Sequence, residues 1–122
     1  MKTSILSTVM ALLLTASLVG CASLRAARLY QQGTLALNAG DSARAISQLR
    51  EASRLEPNAT EIQNHLGLAY SIAGQHESAL VAFERAIELD CENAAAAKNL
   101  AAARAAAEDR KPDGKFRPEG DS

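Results

Sequence analysis

A spacing of 34 residues constrains this chain more than anything else in it. Gly33, Gly40, Ala45, Ala52 and Leu55 return as Gly67, Gly74, Ala79, Ala86 and Leu89, while Ile46 stands opposite Leu80 and Leu49 opposite Phe83. Units repeated at such a period stack on one another, because one unit alone cannot bury its apolar face. The clearer copy is TEIQNHLGLAYSIAGQHESALVAFERAIELDC, residues 60–91. Thr60 with Gln63 reads as a capping box at a helix start, and Leu66, Leu68 and Tyr70 give that helix its apolar content. Gly74-Gln75 punctuates the middle. Ala79, Leu80, Phe83, Ala86 and Ile87 then recur at helical spacing on one face. The unit is a helix, a tight turn and a second helix.

Small residues at fixed places explain how two such helices approach. Gly33 and Gly67 lack a Cβ, Ala45 and Ala79 offer little bulk from the opposing helix, and Leu49 or Phe83 fills the space between hairpins. Pro57 ends the second helix of the first copy by removing a donor and restricting Glu56. At the equivalent place the second copy has Cys91, a weaker stop, followed by Asn93 as an N-cap for the next helix. The first copy is the less regular, with Gln32 and Ala36 where the second has Leu66 and Tyr70. The period and these small residues resemble the tetratricopeptide repeat (TPR), over residues 26–93. The resemblance implies an all-α fold: a short α-solenoid of two helical hairpins, 26–59 and 60–93, closed by an alanine-rich helix over 94–110.

That last segment, with Lys98, Leu100 and Arg104 among alanines, aligns with the first helix of a third repeat. It reads as a cap shielding the last hairpin, as solenoids require. The alternative is an unfinished repeat completed by another chain, which makes a homodimer through this helix an open expectation. Residues 111–122 carry two prolines, two glycines and mixed charge, the composition of a disordered tail. Phe116 between Lys115 and Arg117 is its one candidate docking element.

The N-terminus reads as a targeting segment. Lys2 precedes an apolar run from Ile5 to Val19 that is short and dotted with Ser and Thr for a membrane span, which needs about 20 residues. Leu18-Val19-Gly20-Cys21 then resembles the lipobox of bacterial lipoproteins. The resemblance implies a signal peptide over 1–20, cleavage before Cys21 and acylation there, with two or more chains giving a stable anchor. The alternative is an ordinary signal peptide cut near Ala22. Ala22, rather than Asp, after the cysteine implies sorting to an outer membrane, facing the periplasm. Residues 21–25 form a short tether, whose three residues before the helical pattern span on the order of 10–15 Å if extended.

Composition excludes more than it selects. The formal net charge is −1 and no basic run occurs, so nucleic acid, which requires a concentrated basic face, is not an expected partner. Aromatics are 3% of residues and Trp is absent, so the core must be aliphatic and rich in Ala, with modest stability. No acid pair, nucleophile with a base, or ligand cluster can be assembled, so neither an enzyme nor a cofactor is expected beyond the lipid on Cys21. His65 and His76 lie on different helices without metal-ligand spacing and read as surface or flank residues. Cys91 reads as a turn residue, with an intermolecular disulfide as the alternative. The Glu and Arg residues of 84–88 read as a solvated outer face.

The TPR resemblance places a concave surface on the first helix of each pair, which in such proteins holds an extended peptide or a partner helix. Here that groove presents Tyr30, Thr34, Leu37 and Asn38, then Glu61, Asn64, Leu68 and Ser71, and Lys98. Tyr30 supplies amphipathic contact area, Asn64 two-sided hydrogen bonding to a peptide backbone, and Lys98 a cation for a carboxylate. Tyr30 and Thr34 break the ring of Lys, Asn and Arg with which relatives grip a chaperone C-terminus, so that ligand is not expected. The function expected is a membrane-anchored, non-catalytic adaptor of the cell envelope, as in pilus or secretion assembly or recruitment of cell-wall enzymes. A self-associating structural lipoprotein is the alternative.

Overall fold

The structure is a computed structural model that describes residues 2–109. The expected tail with Phe116, and residue 110 at the end of the expected closing helix, lie outside the described residues. The chain forms α1 (Lys2–Asn38), α2 (Ser42–Leu55), α3 (Thr60–Ile72), α4 (His76–Leu89) and α5 (Ala94–Asp109). Each helix packs on the next, α1 also touches α3, and α3 touches α5. Helices α1, α3 and α5 therefore make one layer of the stack, and α2 and α4 the other. This is the all-α arrangement of two hairpins and a closing helix that the repeat implies.

The turns inside the hairpins are the same turn built twice. Gly40 and Gly74 have φ of 77° and 73°, the left-handed region that a Cβ disfavours. Around each, the backbone closes α1 or α3 with one bond pattern: Gly40 N–H donates to Leu37 O (3.0 Å) and Asp41 N–H to Ala36 O (2.9 Å), as Gly74 does to Ser71 O (3.1 Å) and Gln75 to Tyr70 O (2.9 Å). This is the Schellman closure of helix ends. The next helix starts differently in the two copies. Asp41 Oδ1 accepts from Arg44 N at 3.0 Å and caps α2, whereas Gln75 makes no side-chain cap to α4.

The expected capping box at Thr60 does not form. Ala59 is the N-cap of α3, without a side-chain bond, and Thr60 is already the first helical residue and is buried. Gln63 turns away from the helix start and donates from Nε2 to Ser53 Oγ at 2.8 Å, tying α3 to α2. At the far end of the second hairpin Asn93 does cap α5, accepting from Ala96 N at 2.9 Å. Helix α2 stops at Leu55 before Pro57, and α4 stops at the equivalent Leu89 without a proline. There Asp90 Oδ1 accepts from Glu92 N at 3.1 Å, a local turn that replaces the proline as the stop.

The core is mostly alanine. Leu49 and Phe83 are the largest fully buried side chains, in equivalent places. Each lies over its glycine: a Cβ on Gly33 would sit 2.6 Å from Leu49 Cγ, and one on Gly67 2.5 Å from Phe83 Cε1. Leu49 then reaches the second hairpin through Leu66, Ala69 and Ala82, and Phe83 reaches α5 through Leu100.

Helix α1 extends well beyond this core. Ala26 is buried, while Cys21 and Leu24 are exposed. Residues 21–25, expected as a short tether, are helical, because Ala22, Leu24, Arg25, Ala26 and Ala27 follow Gly20 with strong helix formers and no breaker. A helical tether rises only about 1.5 Å per residue, shorter than the extended estimate. Among the described residues no helix is long and apolar enough to cross a membrane.

Candidate partner-binding face

The layer made by α1, α3 and α5 brings together several of the expected groove residues, through neighbours that sequence reasoning passed over. Tyr30 on α1 meets His65 on α3 edge-on, with ring centroids 5.2 Å apart and planes at 89°. His65 Nδ1 lies 2.9 Å from Glu61 O and 3.3 Å from the Tyr30 hydroxyl. A carbonyl only accepts, so Nδ1 carries the proton and donates to it, with the tyrosine oxygen as a second, longer acceptor. In the neutral ring that leaves Nε2 as an acceptor for an incoming donor. His65, expected as a surface or flank residue, is thus a half-buried member of this face.

One repeat further on, Asn99 Nδ2 on α5 donates to Asn64 Oδ1 at 2.9 Å. Asn64 is buried, so its carbonyl is committed to holding α5 instead of being open to a peptide. The Asn64 amide nitrogen makes no hydrogen bond among the described residues and is the donor left over. Beside this pair, Leu68 and Ser71 line a cleft of about 300 Å³ between α3, α4 and α5, floored by Phe83 and walled by Asn99 and Ala103. Apolar walls with a hydroxyl and an amide suit one anchoring side chain and its backbone.

The side chains of the remaining expected residues take no part in the two pairs and do not line the cleft. Thr34 Oγ1 donates to Tyr30 O at 2.9 Å, a bond within its own helix. Leu37 packs against the buried cluster around Ala36 and Leu49. Asn38 is exposed as the last residue of α1, and Glu61 and Lys98 are exposed on α3 and α5. Cys21 and Cys91 are both exposed thiols. Among the described residues no three His, Cys, Asp or Glu side chains are grouped so as to hold a metal ion.

The family model of the tetratricopeptide repeat matches residues 30–94. The chain belongs to the tetratricopeptide repeat family. It is also 44% identical over 68 residues to a TPR repeat-containing protein of Pseudomonas aeruginosa, a match that covers 56% of this chain and 28% of that relative. The matched part of the chain thus spans just over a quarter of the relative's length. Tetratricopeptide repeats are protein-interaction modules, and the match carries no catalytic family with it. In the TPR stack described here, Asn99 is the residue sequence reasoning missed. It follows Lys98, the position that the 34-residue period assigned to the groove, by one place, and comparison of both registers against Tyr30 and Asn64 would have raised it.

Proposed function

We propose that this TPR chain is a non-catalytic adaptor of the bacterial cell envelope, anchored by lipid on Cys21, which takes a protein or peptide segment along α1, α3 and α5. The observation that carries the reading is the cleft of Leu68, Ser71 and Asn99, continued by the Asn64 donor and the His65 ring. An extended segment would seat one apolar side chain there. Its backbone would meet the Asn64 amide, and a carboxylate on it would meet Lys98, which has no ion-pair partner among the described residues. The anchor reading rests on Leu18-Val19-Gly20-Cys21 and on the exposure of Cys21. Acylation there would keep the stack within a few helical turns of the membrane.

Two measurements in cells test it. A photocrosslinking residue at Glu61 or Lys98 is expected to capture one and the same envelope protein from both sites, and no adduct from either site would contradict the adaptor. Palmitate labelling is expected in the native chain and absent from Cys21→Ser, whose precursor stays uncleaved. Normal labelling of that variant would overturn the anchor alone.

A further inference from the structure

The outer faces of α2 and α4 occupy the same place in their repeats and carry opposite charge. Arg50, Glu51 and Arg54 on α2 correspond, 34 residues on, to Glu84, Arg85 and Glu88 on α4. Every sign is reversed. Each triad is braced by one ion pair along its own helix, Glu51–Arg54 at 3.3 Å and Arg85–Glu88 at 3.1 Å. Glu51 also meets Arg25, and Glu84 meets Arg104. Arg50 has no ionic partner among the described residues, and no ion pair joins one triad to the other.

Each triad lines a groove beside its helix. One of about 610 Å³ runs along α2 over Leu29 and Ile46. The other, of about 570 Å³, runs along α4 over Leu66, Tyr70 and Val81, and Val81 is 67% exposed. Two grooves that carry equivalent triads of inverted charge are what a pair of mutually fitting surfaces requires.

We propose that these grooves are the two halves of a self-complementary interface and that their occupant is a second copy of this chain. A two-fold axis along the helices lays α4 of each copy into the groove beside α2 of the other, the reciprocal pairing that such symmetry imposes. Because the two repeats share one orientation, the paired helices run parallel. Arg50 and Arg54 then face the partner's Glu84 and the partner's Glu88, and Glu51 faces the partner's Arg85. A one-residue slip would set like charges together, so the triads also fix register. An anionic surface such as a membrane would match only the α2 groove and would leave the inverted α4 groove without a role. The interface lies on the opposite layer from the α1–α3–α5 face, so it stands whether or not that face binds a partner.

The test is sedimentation of the full-length chain in density-matched non-ionic detergent, over a range of concentrations and salt. The native chain is expected to pass from monomer to dimer as concentration rises, less readily at high salt. Arg50→Glu with Arg54→Glu makes both grooves acidic, and Glu84→Arg with Glu88→Arg makes both basic. Each pair is expected to raise the dissociation constant about tenfold or more. An equimolar mixture of the two variants should form a heterodimer, and the chain carrying all four changes should dimerise again. A native chain that stays monomeric would overturn the proposal. So would self-association indifferent to either reversal, as contact through α5 would be, or a mixture that fails to associate. Binding to anionic vesicles that depends on Arg50 and Arg54, without dimers, would assign the α2 groove to lipid instead.

Discussion

Tyr30 and His65 meet at 3.3 Å across α1 and α3 with their rings at 89°, and they are 35 residues apart. Asn64 and Asn99 repeat the relationship across α3 and α5 at 2.9 Å and at the same separation of 35. Contacts across this layer thus run at one repeat plus one residue. The face is stitched helix to helix by polar pairs, with the apolar cleft beside the second of them.

The Asn64–Asn99 pair should hold α5 in place. Asn64→Ala leaves the Asn99 amide without its acceptor in a half-buried site, at a cost of about 1–3 kcal/mol. Amide hydrogen exchange in residues 94–109 should accelerate more than in α2. Equal acceleration in both helices would mean that the pair supports the whole stack and not α5 alone.

Gly67 is small because Phe83 lies on it. Gly67→Ala should destabilise by about 1–3 kcal/mol through overpacking, and adding Phe83→Leu should recover part of that loss, giving a coupling energy in a double-mutant cycle. Strict additivity in urea unfolding would show that the ring does not bear on the glycine.

Gly74 is a glycine for another reason. A Cβ there meets nothing within 4 Å, yet φ is 73°. Gly74→Ala should cost about 1–2 kcal/mol from backbone strain alone, Gly74→Asn less, and no change in a neighbour should rescue either. Rescue by a second-site substitution would point to a steric cause.

The two hairpin turns suggest a stabilising change. Gln75 has φ and ψ of −89° and 70°, close to the −83° and 77° at which Asp41 caps α2. Gln75→Asp should supply the missing cap to α4, and Asp41→Ala should remove the existing one. Shifts of opposite sign, each about 0.5–2 kcal/mol, are expected in the melting curves. A loss of stability on Gln75→Asp would show that the second turn cannot close a cap.

The stack was legible because repetition exposes it. Gly33 with Gly67, and Gly40 with Gly74, announce close approach and turn through residues that have no other reason to recur together. Local pattern was less secure. Thr60 and Gln63 fit a capping box by spacing, but Gln63 bonds to Ser53 across the turn, a partner that no window around Thr60 contains. The face was half legible for a similar reason. The 34-residue period selects Tyr30, Asn64 and Lys98, while the stagger between helices pairs Tyr30 with His65 and Asn64 with Asn99, so that Lys98 stays exposed beside the second pair. Asn64 itself looked free because the 34-residue period points to Lys98, one place short of the Asn99 that occupies its carbonyl.

The use of the α1–α3–α5 face is tested most directly by filling its cleft. With a photocrosslinking residue at Lys98, the yield of the partner adduct in cells is compared between the native chain and Ser71→Trp, whose indole would occupy the space between Leu68 and Asn99. A fall to background at an unchanged melting temperature is the expected result. An undiminished adduct from a folded Ser71→Trp chain would contradict the cleft as the site of binding.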